Sequence, residues 1–336
     1  MTNSNFTMHN GSNALQVSPS AMLKGGVAVL ILALAACQSI PTTTSAGASN
    51  STPLVAAHRG GNRDGPENTI PTLQNSLKYG ADILWITVQA SSDGVPVLYR
   101  PADVSALTDG NGPVNTLTAA QLTALNAGYQ YSETDTTGNK RYPYRQHPIK
   151  VPTLREVLHA VPATVPIIID MKQLPADKLV NAVTKVMAEE SAWSRIRFYS
   201  TDATVNTLMA KQPKAQLFES RNATRDRLVR IALNGGACNT PPAAGTWSGI
   251  ELVRKVSVVE KFTLGEGVSE VVAHWWTPAA MKCFKKNPGT KVMVFGVDSA
   301  AAYRSAQLLG VDVVMTDSPM KVIEVSANKP RTEYPD

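Results

Sequence analysis

The chain has 336 residues, of which 43% are hydrophobic and 17% are charged, and its formal net charge is +6. This length allows one large domain or two ordinary ones, and the composition excludes a disordered protein. The mild basic excess suits an anionic ligand or a membrane surface. We expect no nucleic-acid partner, because the basic residues are scattered and only 6% of residues are aromatic.

The first 37 residues carry the pattern of an export signal. Lys24 precedes an apolar run, Gly25–Ala36, which is too short to span a bilayer and fits the core of a secretory signal peptide. The residues that lead into Cys37 resemble the lipobox of bacterial lipoproteins, in which cleavage leaves the cysteine as the lipidated first residue. We therefore predict a lipoprotein signal peptide over 1–37 that ends at Cys37, with Met22 as the expected start of translation, and an ordinary signal peptide is the alternative.

This signal predicts a lipid-anchored protein of the bacterial cell envelope. Gln38 after the lipidated cysteine favours the periplasmic face of the outer membrane. Residues 38–52 are rich in Ser, Thr and Ala without apolar periodicity and predict a flexible tether, and residues 327–336 predict a tail. In an oxidising compartment Cys238 and Cys283 can form a disulfide or stay two buried thiols, and their spacing alone does not decide between these.

From Pro53 onward, short β-branched runs alternate with helical patterns. This rhythm predicts a mostly parallel sheet with helices outside it, and the number of units favours a single-domain α/β fold, a (β/α)₈ TIM barrel over 53–326. Strands are predicted at 54–58, 83–89, 95–100, 165–171, 197–200, 215–219, 250–253, 270–274, 291–297 and 311–316. Helices are predicted at 70–79, 118–126, 153–160, 176–190, 203–211, 224–233, 278–286 and 300–309.

Two features depart from the regular rhythm. The predicted strands outnumber the eight positions of a barrel, and the short turn at Asp93-Gly94 forces antiparallel pairing of 83–89 with 95–100. These two runs cannot both be ordinary barrel strands. Residues 101–150 follow the third strand-like run without clear alternation, and we predict that they form an inserted cap or lid over the site.

Chemistry in such barrels lies where the strands end. His58 and Arg59 end the first predicted strand, and Glu67 lies one loop further on. A guanidinium can bind two phosphate oxygens, and an imidazole can move a proton, so these residues predict a phosphate-ester site. The other polar residues at predicted strand ends are Thr87, Arg100, Asp170, Lys172, Ser200, Glu219, His274 and Asp298.

The residues His58-Arg59-Gly60 and Pro66-Glu67-Asn68-Thr69 resemble the opening motif of the glycerophosphodiester phosphodiesterase family. The resemblance continues through residues 92–97, 151–158, 169–172 and 310–319, in that order, and covers nearly everything from Val55 to Val322. It implies a barrel in which a divalent metal assists hydrolysis of glycerophosphodiesters to an alcohol and glycerol 3-phosphate. Two histidines then act as acid and base, and three carboxylates hold the metal.

The resemblance assigns roles to individual residues. It implies that His58 is the first catalytic histidine, that Arg59, Glu67 and Lys172 contact the phosphate or substrate, and that Asp170 is the third metal carboxylate. The family's Glu-x-Asp metal pair falls on Trp85 and Thr87, however, and its second histidine falls on Arg100. The resemblance therefore predicts a family member whose metal and catalytic site is degenerate.

A hard cation such as Mg²⁺ or Ca²⁺ needs several oxygen ligands, mostly anionic, and Asp170 is the one firm carboxylate. We therefore expect no cofactor unless Glu67, Glu219 or Asp298 rebuilds the site. Three interpretations remain open, the first being the family's hydrolysis with substitute ligands. The second is metal-free hydrolysis with His58 as base and with Arg100 and Lys172 supplying positive charge.

The third interpretation is a binding protein without turnover, and we place it first. Its predicted partner is a phosphodiester or a phospholipid head group, and the sequence does not identify a protein partner. Alternatives exist for several residues: Asp170 and Lys172 can form a structural ion pair, and Arg100 can be a surface residue. His274 can stack a substrate or belong to an aromatic wall, and Asp317 is predicted to cap the final helix.

Overall fold

The computed structural model describes residues 52–325, and they belong to one compact unit. The predictions on the signal peptide, Cys37, most of the tether and the tail lie outside the described residues. No helix among residues 52–325 is both long and apolar enough to cross a bilayer. The strands are β1 Leu54–His58, β2 Ile83–Ala90, β3 Pro96–Leu98, β4 Glu133–Thr134, β5 Lys140–Arg141, β6 Ile167–Met171, β7 Ile196–Tyr199, β8 Gln216–Leu217, β9 Trp247–Glu251, β10 Arg254–Phe262, β11 Gly265–Ala273, β12 Lys291–Phe295 and β13 Val313–Thr316. The α-helices are α1 Ile70–Lys78, α2 Ala119–Thr123, α3 Leu154–Ala160, α4 Ala176–Glu189, α5 Ala203–Met209, α6 Arg221–Leu233, α7 Pro278–Phe284, α8 Ala300–Leu308 and α9 Pro319–Val325.

Eight parallel strands form a nearly closed barrel, which confirms the predicted TIM-barrel class. Their order is β8-β7-β6-β2-β1-β13-β12-β9, and a single parallel bridge between Phe218 and Trp247 joins the two ends. The first and last strands are neighbours, with Ala57 opposite Thr316. Residues from the two ends of the sequence therefore meet at one edge of the barrel mouth.

The central barrel strands β2 and β6 are buried on both faces, which explains their nearly continuous apolar sequences. Along β2 every residue is buried, and side chains alternate between two packing environments. Leu84 and Ile86 pack in the cluster shared with the surrounding helices, whereas Ile83 and Trp85 join the cluster inside the barrel. The interior is therefore filled with side chains up to the level of the site.

The excess of predicted strands has two explanations. The run at 95–100 forms the short strand β3, which pairs antiparallel with β2 and is not a barrel strand, as the Asp93-Gly94 turn required. The run at 270–274 was wrongly placed in the β/α rhythm, because it is part of β11 and pairs antiparallel with β10 in a long hairpin. The strand β10 was not predicted at all, since both of its faces mix Val with charged side chains and no residue of it is buried.

The insertion at 101–150 has its own small apolar cluster, which includes Val104, Val114 and Leu122. It contains α2 and the two-residue strands β4 and β5. At Gly128 the insertion approaches the loop that carries the site, since a Cβ there would lie 3.3 Å from Pro66. The insertion therefore abuts the site loop, and its role as a lid stays a prediction.

The alternatives left open for the two cysteines are now resolved. Cys238 and Cys283 form a disulfide with their Cα atoms 5.3 Å apart. The bond links the segment before β9 to helix α7, so it encloses β9 and the whole β10–β11 hairpin.

Candidate functional site

The site lies at the carboxyl ends of three neighbouring strands, β1, β2 and β6. His58 is opposite Trp85 across the first pair of strands, and Thr87 is opposite Asp170 across the second. Paired residues in a parallel sheet point to the same face, so these four side chains face the barrel interior. The strand register thus gathers residues that are more than a hundred positions apart in the sequence.

His58 is held by a carboxylate from the other end of the barrel sheet. Its Nδ1 lies 2.6 Å from Oδ1 of Asp317, which directly follows β13. Burial alone would raise the pKa of Asp317, but the hydrogen bond from His58 and the charge of Arg63 outweigh it and hold the pKa below its ordinary value. An ionised carboxylate can only accept, so Nδ1 of His58 carries the proton in this contact, and Nε2 is the ring nitrogen that Asp317 does not engage.

The prediction that Asp317 caps the final helix is therefore wrong. The side chain of Ser318 accepts a bond from Lys321 N, and Asp64 accepts one at 3.0 Å from Met320 N. These residues satisfy amides at the start of α9, which leaves Asp317 for His58. The neighbouring positions of β1 and β13 in a closed barrel were the signal that could have revealed this pairing.

Arg59 and Glu67 form the second anchored pair. Nη1 of Arg59 donates to Oε2 of Glu67 at 2.5 Å, and both side chains are largely buried. Arg59 has a φ of 52° and Asn68 one of 59°, a left-handed region that non-glycine residues seldom adopt. A hydrogen bond of 2.8 Å from Asn68 N to Arg59 O joins the two strained residues. Such backbone strain is typical of functional positions whose side chains are held in one orientation.

Asp170 and Lys172 form the ion pair that the sequence left as an alternative. Nζ of Lys172 lies 3.4 Å from Oδ1 of Asp170, which is ion-pair range but leaves Oδ1 without a well-aligned hydrogen bond. Burial raises the pKa of Asp170 above its ordinary value, although Lys172 opposes the shift. Lys172 also donates to Thr201 at 3.4 Å, and its side chain is 28% exposed. The ammonium group thus lies between the buried carboxylate and solvent.

Trp85 is the centre of an aromatic cluster inside the barrel. Its ring centroid lies 5.0 Å from that of Tyr199, 5.4 Å from that of Phe295 and 6.2 Å from that of Phe218. Its indole is 2% exposed and meets the imidazole of His58 edge-on at 6.3 Å. A large apolar ring thus fills the space directly below the histidine.

Within residues 52–325, several buried polar atoms around this cluster and in the site loop have no hydrogen-bond partner. Four can donate a proton, and three are acceptor oxygens. The donors are Arg59 Nε, Asn68 Nδ2, Trp85 Nε1 and Thr87 Oγ1, and the acceptors are Asn62 Oδ1, Glu67 Oε1 and Asp170 Oδ1. Unpaired buried polar atoms cost about 1–3 kcal/mol each, so a native protein rarely keeps so many together without a ligand. The surplus of donors suits an anion.

The residues at this site do not fit a divalent cation. Within 52–325 no three His, Cys, Asp or Glu side chains form a group that could hold a metal ion. Asp170 is paired with Lys172, and Glu67 is paired with Arg59. The positions of the family's acidic pair hold an indole, which offers no lone pair, and one neutral hydroxyl.

The other two carboxylates considered for a rebuilt metal site are engaged elsewhere. Glu219 accepts from Arg227 at 2.7 Å, and Asp298 accepts from Thr316 at 3.0 Å and from Asp317 N at 2.7 Å. Neither is grouped with Asp170. Ser200 is also occupied, since its hydroxyl donates to Met171 O at 3.0 Å.

The site roles predicted for Arg100 and His274 stay predictions. Both residues are exposed, and within residues 52–325 no hydrogen bond or ion pair includes either side chain. Arg100 directly follows Tyr99, whose backbone N donates to Thr87 O at 3.1 Å beside the site. Trp276, two residues after His274, is buried against Phe284 at 5.0 Å between ring centroids, as the aromatic-wall alternative expects.

Two cationic residues at the mouth were missed by the sequence reasoning. Arg63 lies 3.6 Å from both Asp298 and Asp317, and Arg221 forms an ion pair with Glu251 at the end of β9. Nothing in the local sequence marks either arginine, because each reaches the mouth through its loop or helix start.

The replacement Asp317→Asn is expected to lower the free energy of unfolding by about 1–2 kcal/mol near neutral pH, because the charged hydrogen bond to His58 is lost. The pKa of Asp317 is lower in the folded than in the unfolded state. The stabilisation is therefore complete above the unfolded value of about 3.9 and disappears as the pH falls through the folded pKa. Denaturant titrations at neutral and strongly acidic pH check this, and equal differences at both would contradict it.

Comparisons with known proteins indicate the family to which this chain belongs. Residues 58–321 match the model of the Glycerophosphoryl diester phosphodiesterase family. The uncharacterized protein Rv2277c of Mycobacterium tuberculosis is 45% identical over 268 residues, which cover 80% of this chain and 88% of the relative. The crystal structure of the Glycerophosphoryl Diester Phosphodiesterase Domain of that protein aligns with a TM-score of 0.74 and 42% identity over 82% of this chain and 99% of the domain.

A more distant structure has the same fold. An Oleispira antarctica phosphodiesterase, solved in complex with the product sn-glycerol-3-phosphate, aligns with a TM-score of 0.59 at 19% identity over 82% of this chain and 97% of that protein. The family match, the fold and the position of the site agree. This chain therefore belongs to the glycerophosphoryl diester phosphodiesterase family.

Proposed function

We propose that this protein binds the phosphate of a phosphodiester or phospholipid head group without the metal-dependent hydrolysis implied by its family. The observation that carries the proposal is the change in chemistry at the position of the acidic metal pair. Trp85 and Thr87 place two buried, unpartnered donors there. Donors attract phosphate oxygens, whereas the carboxylates of a metal site repel them unless an ion is bound.

The remaining contacts also suit a bound anion. His58, Arg59 and Lys172 are positively charged or proton-bearing groups at adjacent strand ends, and Asn68 Nδ2 adds a neutral donor. Arg59 is held by Glu67 and by its own strained backbone, so its guanidinium is fixed before a ligand arrives. Preorganised donors spend little conformational entropy on binding.

Calorimetric binding of glycerol 3-phosphate and glycerophosphocholine tests the proposal, with Ca²⁺ and separately with a chelator. We use the full chain carrying Cys37→Ser, which cannot be lipidated at that position. Binding should be unchanged by the chelator, and no choline or glycerol should be released beyond the level of a His58→Gln control. Turnover that requires Ca²⁺ would overturn the proposal and restore the family's own activity.

A second candidate is metal-free hydrolysis, and the His58–Asp317 contact favours it. A carboxylate that holds Nδ1–H leaves Nε2 positioned to take a proton, as in other histidine general bases. Lys172 would supply positive charge to the phosphate, since it is the cation beside Asp170 at the mouth. In the same assay, turnover that persists in chelator and is lost in His58→Gln would select this candidate, and its loss in Arg100→Ala would include Arg100.

We also propose that the protein is lipid-anchored through Cys37 on the periplasmic face of the outer membrane. The apolar run before Cys37 and the lipobox pattern support this, and a disulfide suits an oxidising compartment. Incorporation of a labelled fatty acid that disappears in Cys37→Ser is the expected result. Labelling that survives the substitution would refute it.

A further inference from the structure

A long hairpin stands at the same end of the barrel as the phosphate site. The hairpin arm, Arg254–Ala273, consists of β10, β11 and the turn between them. It connects the carboxyl end of β9 to helix α7, and such connections lie at the end of a barrel where the active-site loops are. Each strand has nine residues, so the arm is about 30 Å long.

Nothing within residues 52–325 covers either face of the arm. No residue of its two strands is buried. On one face Val258, Phe262 and Val271 are 44%, 63% and 46% exposed. On the other face Val259, Val268 and Val272 are 50%, 64% and 54% exposed. A two-stranded hairpin is marginally stable in water, so apolar side chains on both faces indicate a surrounding that covers both.

The tip is the most exposed apolar part of the arm. Leu264 is fully exposed at 100%, and the turn Phe262-Thr263-Leu264-Gly265 contains no charged residue. Immediately behind the turn, Lys261 pairs with Glu266 at 3.8 Å. An apolar tip followed at once by charged side chains is the pattern of a segment that enters a bilayer only to the depth of the head groups.

We propose that the tip of the hairpin arm inserts into the head-group region of a phospholipid bilayer and holds the barrel mouth at that surface. A second copy of the chain would cover one face or one edge of the arm, whereas a lipid surface covers the tip residues Phe262 and Leu264 on all sides. Insertion stays shallow, because the free backbone edges of a hairpin cannot enter the hydrocarbon layer.

This inference rests on the proposed function only for the ligand that the surface presents, namely a phosphate head group. The attachment of the arm to the barrel supports a role at the mouth. The Cys238–Cys283 disulfide joins the segment before β9 to helix α7, so β9 and the arm lie between the two bonded cysteines in the chain. The Arg221–Glu251 ion pair lies at the end of β9, three residues before the arm starts.

The test needs a readout local to the tip, because the apolar run at 25–36 can hold the full chain on vesicles by itself. The full chain with Cys37→Ser and Leu264→Cys is labelled with an environment-sensitive fluorophore, and vesicles of phosphatidylethanolamine and phosphatidylglycerol are added. The probe should shift to the blue and be quenched by spin labels at the head group. Leu308→Cys is the matched control, since Leu308 is 76% exposed at the carboxyl end of α8, which lies at the end of the barrel away from the mouth.

A second measurement separates the arm from the site. Phe262→Ser added to the labelled Leu264→Cys chain should raise the vesicle concentration needed for half of the probe shift on the order of tenfold, whereas Leu308→Ser added to the same chain should leave that concentration unchanged. Both variants should bind soluble glycerol 3-phosphate as the parent does. If the parent itself does not bind phosphate, the proposed function is wrong, and the probe shift still tests the insertion of the arm. No probe shift at Leu264, or a dimer that the tip variants convert to monomer, would overturn the inference.

Discussion

Replacing Trp85 by alanine is expected to lower the free energy of unfolding by about 3–5 kcal/mol, the range measured when large buried aromatic side chains are truncated. The indole is 2% exposed and contacts Tyr199, Phe218 and Phe295 inside the barrel. Those rings come from separate strands and cannot close the space, so most of the cavity will remain. Denaturant unfolding followed by near-ultraviolet circular dichroism measures the loss.

Trp275→Ala is the appropriate control, because Trp275 only partly enters a core cluster. A smaller loss there would show that the effect belongs to the barrel interior and not to tryptophan removal in general. If Trp85→Ala cost less than about 1 kcal/mol, the aromatic cluster would not be the core that the structure indicates. Trp85 is thus expected to stabilise the fold as well as to contribute to the ligand site.

Arg59→Ala is expected to weaken glycerol 3-phosphate binding by about a hundredfold, since removing one partner of a desolvated charged contact costs about 2–5 kcal/mol. The replacement also leaves the buried carboxylate of Glu67 unpaired, which should lower the stability by a few kcal/mol. Calorimetry gives the affinity, and thermal unfolding gives the stability. Arg59→Ala/Glu67→Gln should recover stability without recovering affinity.

Two variants make this prediction specific. Arg59→Lys keeps the charge but cannot form the guanidinium fork, so it should remain weakened. Arg63→Ala removes an arginine from the same loop whose side chain is 56% exposed, and its binding should change by less than about tenfold. Equal losses in Arg59→Ala and Arg63→Ala would indicate general electrostatic attraction and not a built contact.

One part of the site could be predicted from the sequence and another part could not, and the position of each part in the chain explains the difference. His58, Arg59 and Glu67 lie within ten residues of one another, and their chemistry could be inferred from a single loop. The partner of His58 could not, because Asp317 is 259 positions away and reaches it only when β13 pairs with β1. Asp317 by itself resembles an ordinary helix cap.

The same reasoning applies to the cations. Arg100 and Lys172 were both predicted at strand ends, yet Lys172 continues the barrel strand β6 and Arg100 follows β3, which lies outside the barrel. Arg100 is exposed, although the backbone N of its neighbour Tyr99 donates to Thr87 O at 3.1 Å. The pattern of apolar runs marked both positions equally, and the structure shows an ion pair with Asp170 for Lys172 and, within residues 52–325, no ion pair for Arg100.

The amino-acid sequence determined the barrel class, since alternating buried strands and amphipathic helices have few other ways to bury both faces of a parallel sheet. It also placed Trp85 and Thr87 where the family has carboxylates. Only the tertiary structure decided that Trp85 fills the barrel interior, that donors there lack partners and that β10 and β11 leave the rhythm as an exposed arm. Packing and pairing across distant strands set these features, and local sequence does not encode them.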